Sequence, residues 1–440
     1  MSGAKRTARD YAFVAAGKIA SLASLLAGAI VVARLAGKSE FGLYNTALAL
    51  TLLLDGGLGS PLDSTAVRFA ALHAGEPKRV LRFQAATFRI KAAIAVILGL
   101  VAALAHTWIT QTFFHDRERA ALLFAAVVCV AALLLARSSA AFIQSQQRFR
   151  AYSLFDGALA AARLAALALV GVAGARRAET YLYAQGLATL LIFLAGLICI
   201  SQPYILARWP SRTDARALLT FLGAIAAVIA LGTITGRADV PILALRQTAD
   251  RVGEYAAGAQ IAAAATLLAG YAAVIVQPRL IQMIRCGALV RAVVANVSIA
   301  AVVGMGGAAA AIWIVPWLVP ALFGDTYAAA IPVLQILVIG TILDLLFMPV
   351  PMTYALQLRP RASAIGETII TAAFLAVAPF AAREGLLAMA WLATGVRLMK
   401  CALYFALTLG DLHNAQTRAR TLSETAAPAV NMANIEALAE

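Results

Sequence analysis

The chain of 440 residues is too apolar for a water-soluble protein, since 62% of its residues are hydrophobic and only 13% are charged. An ordinary globular domain carries roughly 25% charged residues. The formal net charge of +15 is spread over many short segments instead of one surface, which argues against a nucleic-acid partner. The composition predicts a polytopic membrane protein whose basic face lies against anionic lipid headgroups.

Apolar segments of about 20 residues, the length of a helix that crosses a bilayer, follow one another along the chain. The first six segments lie at approximately 11–35, 42–64, 87–108, 120–141, 152–174 and 181–202. The next six lie at approximately 218–245, 255–277, 292–315, 328–351, 363–381 and 385–409. The predicted fold class is therefore all-α, with about 12 transmembrane helices.

The two groups of six segments carry an internal repeat at an offset of about 211 residues. Phe-Gly-Leu-Tyr at 41–44 matches Val-Gly-Glu-Tyr at 252–255. Further matches at this offset are Arg68 with Arg279, Arg150 with Arg361, and Asp156 with Glu367. A fixed period indicates duplicated structure, which in an apolar chain is typical of a transporter. We predict an N-terminal six-helix bundle over 1–205, a C-terminal six-helix bundle over 206–412 and a cytoplasmic tail over 413–440.

The orientation follows from Lys and Arg, which cytoplasmic loops retain. If the N-terminus is inside, the inside loops hold 22 of the 36 basic residues, Arg68 and Arg137 among them, and the outside loops hold 9. Both termini are therefore predicted to be cytoplasmic. The first apolar segment is too long for a signal peptide and lacks a small-residue cleavage pattern, so we expect it to remain as a membrane helix.

No pattern typical of an enzyme or of a metal site is present. The cysteines Cys129, Cys199, Cys286 and Cys401 are scattered and form no Cys-x-x-Cys pair, and the four histidines are isolated. We therefore predict no metal, no cofactor and no disulfide framework. The outside loops are too short to hold the catalytic domain of a membrane polymerase or glycosyltransferase, so we expect a transporter and not an enzyme.

Charged residues inside the apolar segments are the candidates for function, because each one costs free energy in hydrocarbon. Six cations are candidates for the binding of a phosphorylated substrate, since Arg can bind phosphate oxygens in bidentate fashion. They are Lys18, Arg34, Arg163, Arg237, Arg397 and Lys400. Two alternatives stay open: Arg34 and Lys400 extend to an interface, or Arg163 pairs with a structural acid.

Five acids are candidates for coupling or gating, because a carboxylate withdrawn from water favours its protonated form. They are Asp55, Asp156, Asp239, Asp344 and Glu367. Asp55 precedes a Gly-rich stretch at 56–59 that can open the helix. Asp156 and Glu367 occupy matching repeat positions, which favours a gating or fold-stabilising role. The alternative is a structural ion pair, Asp55 with Lys18 or Asp239 with Arg237.

Several short motifs occur in an order that resembles a known family. Residues 33–44, Ala-Arg-Leu-Ala-Gly-Lys-Ser-Glu-Phe-Gly-Leu-Tyr, resemble the "ARLLGPEDFGLY" signature of bacterial polysaccharide-biosynthesis flippases. Residues 54–59 and 67–69 resemble the family's "DLGL" element and its continuation. In the second half, 237–243, 252–256 and 277–280 are similar to the family's "DRLLLG", "VGLYAAA" and "PxL" stretches. The Asp-Arg pair is replaced by Asp239-Val240, with Arg237 two residues earlier.

The family belongs to the multidrug, oligosaccharidyl-lipid and polysaccharide exporter superfamily. The resemblance implies a flippase of the bacterial inner membrane that moves an undecaprenyl-diphosphate-linked oligosaccharide between leaflets by alternating access through a cationic central cavity. It implies a role in O-antigen, capsule or exopolysaccharide assembly and in lipopolysaccharide biosynthesis, with a polysaccharide polymerase and glycosyltransferases as partners. The alternative within the superfamily is a multidrug exporter, a cation-coupled antiporter with an acidic or aromatic cavity. A major-facilitator transporter is disfavoured, because residues 73–79 lack the charged loop motif of that family.

Overall fold

The computed structural model describes residues 2–73, 75–199, 204–264, 306–307, 309–347 and 360–407. The side chains of Lys18, Asp344 and Arg361 lie outside the described part, as do Arg279, Cys286, much of the predicted spans at 255–277 and 292–315, and the tail. The described residues form helices and turns without any strand, which confirms the all-α class.

The helices of the first half follow the predicted apolar segments. They are α1 (Ser2–Ala36), α2 (Lys38–Leu54), α3 (Ser60–Leu72), α4 (Pro77–Phe113), α5 (Ala120–Ser145), α6 (Phe149–Val172) and α7 (Ala178–Cys199). A π-helical turn, Asp55–Gly59, joins α2 to α3, so that Lys38–Leu72 forms one continuous span. This turn contains the Gly-rich stretch next to Asp55.

The described part of the second half contains helices α8 to α14. They are α8 (Arg212–Arg237), α9 (Asp239–Ala244), α10 (249–264), α11 (Ala309–Phe323), α12 (Ala330–Phe347), α13 (Pro360–Glu384) and α14 (Leu386–Leu407). Within the described ranges, 9 helices are long and apolar enough to cross a membrane, and α11 and α12 contain shorter apolar helices. The protein is thus a multi-pass membrane protein. The division into two bundles remains our prediction.

Two tight turns lie at the same end of the helices, between α1 and α2 and between α13 and α14. A single residue separates the helices in each case, Gly37 with φ 87° and Gly385 with φ 117°. Only glycine adopts such positive φ values without steric strain. We call this end of the molecule the opposite end, because it lies opposite the end that is predicted to be cytoplasmic. The other end carries the loops at 75–76, 146–148 and 207–211. We call it the basic end, and it is the end that the Lys and Arg positions predict to be cytoplasmic.

The buried core continues from the first half into the second at the opposite end. Phe41 of α2 is fully buried and lies 5.9 Å from Phe323 and 5.8 Å from Tyr327, measured between ring centroids. The Tyr327 hydroxyl donates a hydrogen bond to the carbonyl of Ala33 at 3.3 Å. Lys38 Nζ lies 2.7 Å from Glu254 Oε1, which adds an ion pair between the halves. These contacts close the opposite end.

Candidate functional site: a cationic cavity between the two halves

A cavity of about 810 Å³ lies between the two halves. Its walls come from α1, α2 and α3 of the first half and from α8, α9, α10, α12, α13 and α14 of the second. Small and apolar side chains form most of the lining, among them Leu25, Leu48, Ala256 and Leu337. A cavity of this volume can hold a polar group and keep that group away from the lipid.

Among the residues that the structure describes, four cations and two acids line this cavity: Arg68, Arg237, Arg397, Lys400, Asp239 and Glu367. Three of the cations, Arg237, Arg397 and Lys400, belong to the set predicted from the sequence. Cations therefore outnumber acids in the described part of the lining, which is the opposite of a site built for an organic cation.

Lys400 and Glu367 form a buried pair on the second-half wall. Lys400 Nζ lies 2.9 Å from Glu367 Oε2, a close ionic contact without hydrogen-bond alignment. The Tyr404 hydroxyl donates a 2.7 Å hydrogen bond to Glu367 Oε1. Glu367 is 3% exposed and Lys400 is 8% exposed, so the two charges compensate each other away from bulk water. Lys400 therefore does not extend to an interface.

Arg397 lies one helical turn from Lys400 on the same helix. Its Nη1 donates to Thr341 Oγ1 of α12 at 3.1 Å. The side chain runs over Gly340, where a Cβ atom would lie 2.9 Å from Arg397 Cδ. The absence of a side chain at Gly340 thus allows Arg397 to lie close to α12 and to reach the cavity.

Arg237 and Arg68 have no carboxylate partner within the described part of the chain. Arg237, the last residue of α8, forms no hydrogen bond or ion pair there and is exposed to the cavity. Asp239, two residues later, accepts a hydrogen bond from the Tyr255 hydroxyl at 2.7 Å instead of pairing with Arg237. The Arg68 guanidinium lies 4.2 Å from the centroid of the Phe221 ring, a cation–π contact.

Two polar amides from different halves meet in the cavity wall. Gln260 Nε2 of α10 donates to Asn45 Oδ1 of α2 at 2.9 Å. Both residues line the cavity. They supply hydrogen-bonding groups in a lining that is otherwise mostly apolar.

The remaining predicted cations do not line the cavity in the described structure. Arg34 donates to the carbonyls of Ala321 and of Leu322, the latter at 2.8 Å, and so links α1 to α11 at the opposite end. Arg163 donates from Nε to Thr189 Oγ1 at 2.8 Å, between α6 and α7. The side chain of Lys18 lies outside the described part.

Asp55 lies in the π-helical turn and is 1% exposed. Its Oδ2 lies 3.0 Å from Arg137 Nε of α5, whereas its Oδ1 has no hydrogen-bond partner in the described part of the chain. Arg137 is therefore an ionic partner of this acid, and one that the sequence did not single out. Asp156 accepts a hydrogen bond from Ser21 at 2.9 Å. Neither acid belongs to the lining of the cavity as the described residues form it.

Sequence reasoning missed several charges that the structure places inside the bundle. The orientation predicted from the sequence has Arg68 and Arg137 in inside loops, whereas Arg68 lies in α3 and Arg137 in α5. Lys91 of α4 is fully buried, and its Nζ lies 2.5 Å from Asp63 Oδ1. The sequence does indicate that Arg137 and Lys91 lie inside the membrane, since both fall within the predicted apolar segments at 120–141 and 87–108. Among the described residues, no group of three or more His, Cys, Asp or Glu side chains is arranged to hold a metal ion.

Comparisons with known proteins bear on the family. A comparison with curated sequences gives no match. Among solved structures, lipid II flippase MurJ in an inward closed conformation is similar, with TM-score 0.70, 14% identity and coverage of 90% of this chain and 87% of that one. An inward-facing multidrug resistance MATE family transporter of the MOP superfamily has TM-score 0.66, 15% identity and coverage of 90% and 95%. The Vibrio cholerae MATE transporter VcmN has TM-score 0.63, 14% identity and coverage of 94% and 99%.

At these identities the similar structures show a shared fold. The family is shown by a separate match, because the family model described as polysaccharide biosynthesis protein fits residues 9–284, more than half of the chain. The ordered motifs of the first half, from the Phe-Gly-Leu-Tyr signature to Val67-Arg68-Phe69, lie inside this range. The protein therefore belongs to the polysaccharide biosynthesis protein family.

Proposed function

We propose that the protein is a flippase that moves a lipid-linked oligosaccharide across the bacterial inner membrane. The cargo is an oligosaccharide joined to undecaprenol through a diphosphate, and it is used for surface polysaccharides such as O-antigen, capsule or exopolysaccharide. Membership of the polysaccharide biosynthesis protein family supports the carbohydrate part of this proposal. The cavity supports the diphosphate part.

The excess of cations in the cavity is the observation that carries the proposal. Arg237 and Arg68 face the cavity without a carboxylate partner in the described structure, while Glu367 already compensates Lys400. A diphosphate loses hydration when it leaves water, and guanidinium groups replace that hydration with charge-assisted hydrogen bonds. The lipid tail stays in the bilayer, so only the diphosphate and the sugars need the cavity.

The amides of Asn45 and Gln260 suit the sugar part of such a cargo. Each amide side chain has both a donor and an acceptor, which match the two roles of a sugar hydroxyl. Their mutual hydrogen bond at 2.9 Å joins α2 to α10. A sugar that enters between them exchanges this contact for its own hydrogen bonds, which would loosen the contact between the halves.

Directional transport requires a coupling step, for which we keep the five predicted acids as candidates: Asp55, Asp156, Asp239, Asp344 and Glu367. Glu367 is linked to the cargo site most directly, since it pairs with Lys400 at 2.9 Å. A cargo phosphate that attracts Lys400 leaves Glu367 without its counter-ion, which favours uptake of a proton. Asp55 and its partner Arg137 are not among the described lining residues, so Asp55 would couple through the π-helical turn and not through contact with the cargo.

A multidrug exporter is the second candidate. The similarity of fold to MATE transporters favours it, and Phe221 and Tyr404 give the cavity two aromatic side chains. An organic cation would, however, meet four basic side chains in the lining. The two candidates therefore predict opposite preferences for the charge of the cargo.

Lipid analysis of cells that lack the protein tests the proposal. We expect undecaprenyl-diphosphate oligosaccharide to accumulate on the inner leaflet and surface polysaccharide to be lost. Wild type and the control variant Arg148→Ala, which changes an exposed residue outside the cavity, should restore export. Arg237→Ala should not. Normal lipid-linked intermediates together with altered efflux of organic cations would overturn the flippase and favour the multidrug exporter.

A further inference from the structure

An ion pair at the basic end joins the first half to the second. Arg79, in the first turn of α4, lies with Nη2 2.5 Å and Nε 3.2 Å from Asp214 Oδ1 of α8. Its Nη1 lies 3.2 Å from Glu76 Oε1. One guanidinium is thus shared between an acid of its own half and an acid of the other half.

Apolar and aromatic side chains pack close to this pair. Phe69, Phe83 and Leu218 form a small buried cluster, against which Phe221 packs. The Phe69 and Phe221 rings are 6.0 Å apart between centroids. Because Phe69 and Phe83 come from the first half and Leu218 and Phe221 from α8, the cluster and the Arg79–Asp214 pair form one contact region between the halves.

A second pocket, of about 420 Å³, opens beside this ion pair. The described residues that line it are Glu76, Pro77, Lys78, Arg79, Arg82 and Asp214, three cations and two acids. Both acids are already bound by Arg79. Lys78 and Arg82 have neither a hydrogen bond nor an ion pair within the described residues, so the pocket holds two cations without a counter-ion.

We propose that this pocket is a binding site for the phosphate group of a membrane lipid, held by Lys78 and Arg82, and that the bound phosphate competes with Asp214 for Arg79. The pocket is distinct from the central cavity, and the proposal does not depend on the identity of the transported cargo. Basic pockets between helices at the cytoplasmic side of a membrane attract phosphorylated headgroups. Arg79 is well suited to the exchange, since a guanidinium binds carboxylate and phosphate with the same fork of donors.

Release of Arg79 weakens the contact between α4 and α8. The side chain of Arg79 is 35% exposed and that of Asp214 is 12% exposed, so water screens the pair partly and its free energy is small. A competing phosphate can therefore displace the carboxylate. Occupancy of the pocket would then loosen the basic end, where the cargo is expected to reach the cavity, while the opposite end keeps its own contacts.

Native mass spectrometry of the purified, detergent-solubilised protein tests the binding. The probes are phosphatidylglycerol, zwitterionic phosphatidylethanolamine and undecaprenyl diphosphate, each added alone. We expect the anionic lipids to bind in preference to phosphatidylethanolamine, whose own ammonium group compensates its phosphate, and Lys78→Ala/Arg82→Ala to reduce the bound fraction about fivefold. The control Arg148→Ala changes another exposed arginine of the basic end and should bind as wild type does.

The two anionic probes separate the sources of the phosphate. Stronger binding of phosphatidylglycerol assigns the pocket to a bilayer lipid, and stronger binding of undecaprenyl diphosphate assigns it to a polyprenyl carrier. Equal binding of all probes, or an unchanged bound fraction in the double variant, would overturn the site.

A distance measurement tests the release of the ion pair. Spin labels on cysteines introduced at the exposed positions Gly75 and Ala217, with the native cysteines replaced, report the separation of the α4 and α8 ends. We expect the anionic lipid to lengthen this distance in the otherwise unchanged protein and not in Lys78→Ala/Arg82→Ala. Asp214→Asn should give the longer distance without lipid. A distance that lipid leaves unchanged would contradict the competition.

Discussion

Gly42 and Gly253, which occupy equivalent positions of the internal repeat, pack against each other's helix. A Cβ atom on Gly42 would lie 1.8 Å from the carbonyl oxygen of Ala249, and one on Gly253 would lie 2.5 Å from that of Lys38. Ala249 follows Lys38 by the same offset that relates the two glycines. The two contacts are therefore related by the repeat, and α2 meets α10 on the local symmetry axis of the molecule.

Substitution of Gly42 tests the importance of this contact. Because the clash is with backbone atoms, Gly42→Ala should separate α2 from α10, lower the thermal midpoint of unfolding and reduce polysaccharide export. Small residues at such crossings let helix backbones approach closely. Gly157→Ala is the control, since a Cβ there meets no atom within 4 Å. A Gly42→Ala protein as stable and active as Gly157→Ala would show that the close contact is dispensable.

Substitution of Arg237 tests the cationic cavity. A charge-assisted hydrogen bond contributes about 1.5–3 kcal/mol, so Arg237→Ala should weaken binding of a diphosphate-linked lipid at least about tenfold. Arg237→Lys keeps the charge but loses the bidentate geometry, and it should retain part of the affinity. Binding to purified protein in detergent measures the effect, with Arg148→Ala as the control. Equal affinities for wild type and Arg237→Ala would remove this residue from the cargo site.

Substitution of the Lys400–Glu367 pair separates stability from transport. Lys400→Met leaves Glu367 as an uncompensated buried charge, and breaking such a pair costs about 3–5 kcal/mol. The double variant Lys400→Met/Glu367→Gln removes both charges and should regain most of the thermal stability. It should still fail to restore export, because the cation that the cargo needs is gone. Recovery of export in the double variant would mean that the pair has only a structural role.

Substitution of Asp55 tests the proposed coupling role. Asp55→Asn keeps the shape of the side chain but removes its negative charge, and so releases Arg137 from the 3.0 Å ion pair. We expect the dependence of transport on an imposed pH gradient to disappear in proteoliposomes, while the protein stays folded. Asp55→Glu should keep some of this dependence. A wild-type response to the pH gradient in Asp55→Asn would assign coupling to another acid.

The sequence alone gave the fold class, the number of apolar segments in the first half and the repeat. The fold class and the number of segments are local features, because the length of an apolar run decides whether a helix spans a bilayer. The repeat is visible because its matched motifs lie at a fixed offset. The two glycine motifs were also visible in the sequence. The sequence does not show that each glycine packs against the helix that carries the other glycine, because a repeat does not specify how its two copies pack.

The tertiary structure decided which charges face the cavity. Arg163 and Arg237 both lie in apolar segments, yet Arg163 bonds to Thr189 and Arg237 points into the cavity. The sequence predicts Arg68 and Arg137 in loops. The structure places Arg68 in the cavity lining and Arg137 in an ion pair with Asp55. The reason is physical: the cost of a charge in an apolar segment is visible in the sequence, whereas its compensation depends on the rotation of the helix and on residues far away in the chain.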